Sequence, residues 1–219
     1  MTVPHRDTRT LVQCDFDGTI TDGDVSFQIL DEFTGIGWHD KLQEYLRGKI
    51  SVNRFNADVF SKVKADRPTL ERFVREKAII RPGFNDLLQA CHERDFRFMI
   101  VSNGMMFYID TILKMLGLTG VEFAAALANF KWEGIEAWYE GPDGKLVEDG
   151  FKEAYTKEFL KQGYRIAYVG NGTSDFPAAR LCSHIFSIDN LTVSCKQAGV
   201  AHTPFTDLHG VAEGIRKLP

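Results

Sequence analysis

The sequence alternates between short apolar runs and longer stretches in which apolar residues recur at helical spacing. Four runs have the length and composition of buried strands, namely residues 11–14, 96–101, 164–169 and 184–188. The stretches between them are typical of amphipathic helices, such as those predicted near residues 84–91 and 105–116. Strands that alternate with helices along most of a chain predict an α/β fold with a mainly parallel sheet.

Residues 21–80 break this alternation. Apolar residues recur there at i, i+4 and i+8, beginning at Val25, and no strand-like pattern interrupts them. We therefore predict a small all-helical insert after the first strand. The rest of the chain, residues 1–20 and 81–219, is predicted to form the α/β core.

A second excursion is predicted within the core, at residues 121–146. Apolar and polar residues alternate there, and Gly-Pro-Asp-Gly at residues 141–144 is typical of a hairpin turn. The helix predicted next, at residues 151–162, carries Lys152 in its first turn. Because a lysine there opposes the helix dipole, local helix stability gives only a weak reason for it.

Polar residues follow three of the predicted strands at the point where each strand ends. They are Asp15 and Asp17, Ser102 and Asn103, and Asn171 and Asp175. In open parallel sheets, ligands bind beyond the carboxyl ends of the strands, so these side chains are expected to share one site. Asp15 and Asp17 leave their strand on the same side, and two carboxylates held that close need a cation or a shared proton. Gly18 lets the backbone approach a ligand closely, and the N–H groups of residues 102–104 suit a phosphate.

Composition excludes several classes of function. The chain has 219 residues, a net charge of -4 and a pI near 5.9, so no basic surface for nucleic acid is indicated. The six histidines show no HxH or HExxH pattern and the four cysteines no CxxC spacing, which argues against a zinc site. Residues 1–10 are polar and no stretch has the length of a membrane span, so we expect a cytoplasmic protein without a membrane partner.

Four motifs, in this order, resemble the haloacid dehalogenase superfamily of aspartate-nucleophile phosphotransferases. Residues 15–19 read DFDGT after an apolar strand, Ser102 ends a second strand, Lys152 opens a helix, and the loop GNGTSD follows at residues 170–175. The resemblance spans about residues 10–188 and implies a Rossmann-like parallel-sheet core with the helical insert as a cap. It also implies a Mg²⁺-dependent phosphatase that acts on a small phosphorylated metabolite.

The resemblance assigns a role to each motif residue. Asp15 would attack phosphorus and form an aspartyl-phosphate, and Asp17 would protonate the leaving alkoxide and later accept a proton from water. Ser102 would hold the phosphoryl oxygens, and Lys152 would pair with Asp15 and the phosphate. The expected Mg²⁺ ligands are Asp15, Asp17, Asn171 and Asp175. The residues expected to contact substrate or phosphate are Gly18, Thr19, Asp24, Asn103 and Gly104.

Within the superfamily, a helical insert between the first two motifs resembles the branch that contains phosphoserine phosphatase. DFDGTIT, the IRPGF entry to the core and the β excursion before Lys152 resemble the methionine-salvage enzymes that dephosphorylate 2-hydroxy-3-keto-5-methylthiopentenyl-1-phosphate. Two alternatives stay open: a phosphoserine phosphatase, and a weakly active or inactive member that binds a phosphorylated ligand. The second arises because Asn171 stands where the family usually has an acidic metal ligand, and an amide brings no charge.

Asp24 has two interpretations of similar weight. It stands where relatives place an acidic residue that faces the non-phosphate end of the substrate, and it also suits the N-cap of a helix starting near Val25. A phosphoserine enzyme also needs a cap cation for the substrate carboxylate, and Arg47, Arg54 and Arg67 are available. The sequence leaves both a monomer and a homodimer open.

Overall fold

Seven strands form one sheet in the computed structural model, which describes residues 9–219; the predicted core segment 1–20 therefore begins outside the described residues. In chain order the strands are β1 (Thr10–Cys14), β2 (Arg97–Met105), β3 (Glu122–Lys131), β4 (Gly134–Trp138), β5 (Arg165–Gly170), β6 (His184–Ser187) and β7 (Thr203–Pro204). Their order across the sheet is β4-β3-β2-β1-β5-β6-β7, and only the β3–β4 pair is antiparallel among these described strands. The predicted α/β fold with a mainly parallel sheet is confirmed.

The central strand β1 determines where the sheet can hold a site. All five of its residues are buried, because both faces of a central parallel strand are covered, and three of the five are apolar. Its register places Cys14 beside Ile100 of β2 and Val169 of β5. The backbone N–H of Asp15 continues that ladder with a 2.9 Å bond to the Val169 carbonyl. Strand β2 extends past its predicted end at residue 101 through Met105, so Ser102 and Asn103 lie within its last residues. The polar residues at the ends of all three strands therefore meet at one edge of the sheet.

The chain between β1 and β2 begins with the helical insert. Its helices are α1 (Val25–Thr34), α2 (His39–Leu46), α3 (Val52–Phe60) and α4 (Arg67–Lys77), with a 3₁₀ turn at Gly35–Trp38. Asp24, Ser51 and Asp66 cap α1, α3 and α4 by accepting backbone N–H groups. Thr21 and Ile80 form an antiparallel bridge where the chain leaves and re-enters the core. The insert is all-helical, as the sequence predicts.

The remaining helices cover the sheet. They are α5 (Phe84–Glu93), α6 (Met106–Met115), α7 (Phe151–Lys161), α8 (Phe176–Ala179), α9 (Asp189–Ala198) and α10 (Leu208–Lys217). Helix α5 packs against α10, and α7 packs against α8. Helix α6 contacts both β3 and α4, so it joins the sheet to the insert. Within residues 9–219, none of the helices combines the length and the apolar character needed to cross a membrane.

The predicted hairpin forms, but its turn is not the predicted one. The antiparallel β3–β4 pairing closes at residues 132–133, while residues 141–144 make a smaller turn that lies beyond β4. At Gly134, φ is 150° and a side chain would overlap the Ser61 carbonyl at the end of α3. The turn at residues 132–133 is therefore positioned by a contact with the insert. The prediction instead places the hairpin turn at Gly-Pro-Asp-Gly, residues 141–144, which has the more typical turn sequence.

Arg81 lies where the chain returns from the insert to the core, and it hydrogen-bonds to the turn that follows β1. Its guanidinium donates to the carbonyls of Gly18 (2.9 Å), Thr19 (3.0 Å) and Thr206 (3.3 Å). The residue is buried, so these carbonyls depend on it for hydrogen bonds. A planar group with five fixed donors can serve three carbonyls at once, which an ammonium on a flexible stem cannot do in the same geometry.

We expect Arg81→Lys to lower the free energy of unfolding by about 2–4 kcal/mol, because at least two buried carbonyls lose charge-assisted hydrogen bonds. Urea unfolding followed by circular dichroism measures this change. The matched control is Arg75→Lys, since the half-exposed Arg75 makes only a helical surface pair with Glu71. We expect that control to change stability by at most about 0.5 kcal/mol; equal effects of the two substitutions would contradict the role given to Arg81.

Candidate active site

A cavity of about 300 Å³ lies at the carboxyl ends of β1, β2 and β5, beneath the insert. Eight of the predicted site residues line it: Asp15, Asp17, Asp24, Ser102, Asn103, Gly104, Lys152 and Asn171. The other three, Gly18, Thr19 and Asp175, are not among the residues that line it. The fold thus brings together side chains from β1, β2, α7 and the loop after β5, as parallel-sheet geometry predicts.

Lys152 is buried between two carboxylates. Its Nζ lies 2.7 Å from Asp15 Oδ1 and 2.7 Å from Asp175 Oδ1. Burial alone would lower the pKa of Lys152, but the two carboxylates outweigh burial and raise it, so the ammonium stays charged. The lysine therefore neutralises part of the negative charge beside Asp15.

The start of α7 is fixed from beneath by a polar side chain of β1. Gln13 donates to the Lys152 carbonyl at 3.2 Å, and its own carbonyl oxygen accepts from the Thr156 hydroxyl at 2.8 Å. Gln13 and Thr156 are both fully buried. A buried glutamine within an otherwise apolar strand thus holds the lysine-bearing turn against the end of β1.

Asp175 lies behind this ion pair and is saturated by protein donors. Its Oδ1 accepts from Lys152 Nζ and from the Tyr168 hydroxyl, both at 2.7 Å. Its Oδ2 accepts from the N–H groups of Asn171 (3.0 Å) and Gly172 (2.7 Å). Asp175 therefore orients both Lys152 and the loop after β5. No motif in the sequence points to Tyr168, which has the character of one residue of a buried strand.

The carboxylate of Asp17 is held at both oxygens. The N–H of Val25, in the first turn of α1, donates to Oδ1 at 3.0 Å, and the Tyr108 hydroxyl donates to Oδ2. Asp24 caps the same helix by accepting from Phe27 N–H at 2.9 Å, and it also lines the cavity. The N-cap expected for Asp24 is thus present, and its position facing the cavity is compatible with the other interpretation too.

Ser102 and the residues after it form the wall contributed by β2. The Ser102 hydroxyl oxygen accepts from Gly104 N–H at 3.1 Å, which leaves the hydroxyl hydrogen available to donate into the cavity. Asn103 faces the insert as well: its carbonyl accepts from Asn56 at 2.8 Å, and its amide donates to Asn53 Oδ1 at 3.0 Å. The end of β2, which is expected to bind phosphate, is therefore bonded directly to α3.

The turn after Asp17 meets the loop after β5 through Thr19. Thr19 is fully buried, and its hydroxyl donates to Asn171 Oδ1 at 3.2 Å. Gly18 lies under the Asn171 amide so closely that a side chain there would overlap it, and its φ of 71° also favours glycine. In this structure Gly18 and Thr19 support Asn171, and their contact with substrate stays a prediction.

The carboxylates of the site repel one another and are poorly solvated. Burial raises the pKa of Asp15 to about 7, with the charge of Asp175 adding to the rise and Lys152 opposing it. Burial, helped by the charge of Asp24, raises the pKa of Asp17 to about 8. Burial also raises the pKa of Asp24 to about 6. Such a cluster favours either a bound proton or a cation at neutral pH.

The oxygen atoms of the site fit a hard divalent cation. Within residues 9–219, no group of three or more Asp, Glu, His or Cys side chains is arranged as a metal centre. Two carboxylates, Asp15 and Asp17, and the amide Asn171 do line one cavity, and Lys152 Nζ lies 2.7 Å from Asp15 Oδ1. Mg²⁺ accepts carboxylate and amide oxygens and keeps several waters, so this donor set suits it.

The roof of the cavity, contributed by the insert, is largely apolar. It consists of Phe27, Leu42, Tyr45, Leu46, Val52 and Phe55. Among the described residues that line the cavity, Lys152 is the only one with a positive charge. Arg54 and Arg67 instead form surface ion pairs with Asp58 and Glu71, with more than half of each arginine side chain exposed. Lys49 lines an adjoining groove.

The sequence of the chain is similar to that of one family of known proteins. Residues 12–180 match the haloacid dehalogenase-like hydrolases. A 2-hydroxy-3-keto-5-methylthiopentenyl-1-phosphate phosphatase from Bacillus velezensis is 30% identical over 217 residues, which cover 96% of this chain and 92% of that protein. A protein of the same name from Exiguobacterium sibiricum is 28% identical, covering 94% of this chain and 95% of that one.

Solved structures of low sequence identity share the fold. A phosphoserine phosphatase from T. onnurineus superposes with a TM-score of 0.71 at 17% identity, covering 100% of both chains. A phospho-aspartyl intermediate analogue of phosphoserine phosphatase gives a TM-score of 0.70 at 16% identity, covering 95% of this chain and 99% of that one. These likenesses show that the chain shares its overall fold with those structures.

The raised carboxyl pKa values predict that the chelator-treated protein loses stability as pH rises. Each of these groups binds its proton more tightly in the folded state, so its contribution is complete below about pH 4 and is lost as pH rises toward 8. We expect Asp24→Asn to reduce this loss by about 1–3 kcal/mol, because it removes one titrating carboxyl while asparagine still caps α1.

Thermal unfolding with a chelator between pH 5 and pH 8 measures this difference. Asp66→Asn is the matched control, since Asp66 also caps a helix but is exposed and has a lowered pKa from its bonds to Thr69. The control should follow the wild-type pH dependence. If Asp24→Asn also follows it, Asp24 does not share the charge of the site.

Proposed function

The chain belongs to the haloacid dehalogenase-like hydrolase family as a phosphoric monoester hydrolase, and we propose that it hydrolyses a small phosphorylated metabolite through an aspartyl-phosphate with Mg²⁺. The observation that carries the proposal is the ion pair of Asp15 with buried Lys152, in one cavity with Asp17 and Ser102. A nucleophile, an acid/base group, a cation and a hydroxyl donor thus surround a space of the size of a small phosphate ester.

In the proposed first step, a carboxylate oxygen of Asp15 attacks phosphorus while the bond between phosphorus and the leaving oxygen breaks. Lys152 and the Ser102 hydroxyl stabilise the negative charge on the transferring phosphoryl oxygens. Asp17 gives its proton to the leaving oxygen, and burial suits it to hold that proton at neutral pH. The alcohol product then departs and leaves Asp15 phosphorylated.

In the proposed second step, a water molecule attacks the phosphorus of the aspartyl-phosphate. Asp17, now ionised, accepts the proton of that water, and the bond between phosphorus and the Asp15 oxygen breaks. Phosphate is released and both carboxyl groups return to their starting states. The same residue serves as acid and then as base, so its position must suit both the leaving oxygen and the incoming water.

The Asp15 carboxylate, the backbone carbonyl of Asp17 and the amide oxygen of Asn171 are the groups that would hold Mg²⁺. When bound, the ion offsets the negative charge of the carboxylates and of the phosphoryl group. Asp175 was predicted as a fourth ligand. Because Lys152, Tyr168 and two backbone N–H groups already occupy its oxygens, we propose that it acts by orienting Asn171 and Lys152.

The apolar roof supports a substrate with an uncharged, apolar end. Residues such as Leu42 and Phe55 would face the part of the substrate farthest from phosphorus, and they offer no partner for a carboxylate. A methylthio group would fit such a surface. This supports 2-hydroxy-3-keto-5-methylthiopentenyl-1-phosphate, the compound named in the relatives, as the substrate in methionine salvage.

Phosphoserine is the second candidate. Its carboxylate would need a cation, and Lys49 in the groove beside the cavity is the observation that favours it. A third possibility is that the chain binds a phosphorylated ligand with weak or no turnover. It rests on Asn171, whose amide brings no charge to the metal.

Phosphate release from a panel of esters, with Mg²⁺ and with a chelator, tests the proposal. The panel contains the methylthio enol-phosphate and phosphoserine. We expect Mg²⁺-dependent release with the former as the better substrate, and a loss of about 10³-fold or more in Asp15→Asn, because the amide is a poor nucleophile.

Asp110→Asn is the matched control, since Asp110 pairs with Lys114 on the surface of α6 and should keep wild-type turnover. Wild-type activity in Asp15→Asn would refute the nucleophile assignment. No release of phosphate from any ester by folded wild-type protein would favour the binding-only alternative.

Asn171→Asp should lower the Mg²⁺ concentration for half-maximal activity by roughly tenfold, since ligand charge strengthens binding of hard cations. The Thr19 hydroxyl can still donate to the new carboxylate. Asn190→Asp is the control, because Asn190 also lines the cavity but is exposed. A Mg²⁺ requirement of Asn171→Asp equal to that of the control would mean that residue 171 does not ligate the ion.

A further inference from the structure

We propose that Tyr108 is a positioning residue that aims the acid group of Asp17 at the leaving oxygen, an inference that rests on the proposed function. Tyr108 is fully buried in α6 and is not among the residues that line the cavity. Its hydroxyl donates to Asp17 Oδ2 from a residue 91 positions away in the chain. Tyr108 therefore acts on the substrate only through Asp17.

The hydroxyl of Tyr108 is itself held by the insert. Ser26, in the first turn of α1, lies 2.7 Å from it. Because Tyr108 gives its single hydrogen to Asp17, the hydrogen between the two hydroxyls must come from Ser26. The result is a directed chain from Ser26 through Tyr108 to Asp17, in which each member fixes the next.

The two oxygens of Asp17 are thereby fixed by different parts of the molecule. Oδ1 accepts from Val25 N–H of the insert, and Oδ2 accepts from Tyr108 of the core. A carboxyl group held at one oxygen can still rotate about its last bond, whereas one held at both cannot. Tyr108 therefore sets the plane of the carboxyl group and hence the direction in which its remaining lone pairs face the cavity.

Gly104 supplies independent support. A side chain on Gly104 would overlap both the Tyr108 hydroxyl and Asp17 Oδ2. Its φ does not lie in the left-handed region, so the backbone itself makes no demand for glycine here. The missing side chain leaves space for the bond between Tyr108 and Asp17, at the end of β2 that also carries Ser102.

The test compares two esters of similar size that differ in their need for an acid. The leaving group of benzyl phosphate is the alkoxide of a weakly acidic alcohol and needs a proton from the enzyme. The leaving group of 4-nitrophenyl phosphate is a phenolate that is stable without protonation. The parameter is kcat/KM with Mg²⁺, because it reports the steps up to cleavage of the bond to the leaving group. We expect Tyr108→Phe to lower kcat/KM for benzyl phosphate by about 10- to 100-fold and for 4-nitrophenyl phosphate by less than about threefold.

Two further variants accompany Tyr108→Phe. Tyr139→Phe is the matched control, since Tyr139 is a buried tyrosine whose hydroxyl donates to the Asn103 carbonyl and bonds no carboxylate. It should leave the ratio of the two kcat/KM values at the wild-type ratio. Ser26→Ala should shift the ratio in the same direction as Tyr108→Phe, and it carries the test if Tyr108→Phe does not fold.

The outcomes separate this inference from the proposed function. If wild-type protein hydrolyses both esters and Tyr108→Phe lowers both values equally, the positioning role is refuted and the phosphatase stands. An unchanged ratio in folded Ser26→Ala, where Tyr108→Phe does not fold, also refutes it. If wild-type protein acts only on the methylthio enol-phosphate, an undiminished kcat/KM for that ester in Tyr108→Phe refutes the positioning role. If wild-type protein releases phosphate from none of the esters with Mg²⁺, the proposed function fails and this inference fails with it.

Discussion

The buried ammonium of Lys152 is the group on which the site depends. A charged lysine in the protein interior is stable only if its charge is compensated, and here two carboxylates, Asp15 and Asp175, do so at 2.7 Å each. The three residues come from the end of β1, the start of α7 and the loop after β5. Their meeting requires β1 to lie between its neighbours in the observed register and α7 to be fixed by Gln13.

The site contains more carboxyl groups than the single positive charge of Lys152 can neutralise, and this excess determines what the proposed reaction requires. Asp17 and Asp24 add two more carboxyl groups to the same cavity, and burial raises the pKa of each. A phosphoryl group would bring still more negative charge. The proposed reaction therefore needs both a divalent cation and a carboxyl that keeps its proton, and the same crowding accounts for both needs.

The insert does more than cover the cavity. Its first helix donates Val25 N–H to Asp17, and its third helix donates the Asn56 amide to the Asn103 carbonyl beside Ser102. The surface that would face the variable end of a substrate thus belongs to the element that orients two residues of the proposed catalytic site. Movement of the insert would change substrate contacts and catalytic geometry together.

The sequence by itself determined the α/β architecture, the helical insert and eight of the residues that line the cavity, because strand length, helical spacing and motifs at strand ends are local properties. Only the tertiary structure decided the partners of those residues. Tyr108 and Tyr168 read as ordinary core aromatics, and Thr19 reads as a residue of the phosphate-binding turn. The bonds from Tyr108 to Asp17 and from Thr19 to Asn171 join residues 91 and 152 positions apart. Such contacts leave no periodic signal, since they depend on how strands and helices pack and not on the sequence near either residue.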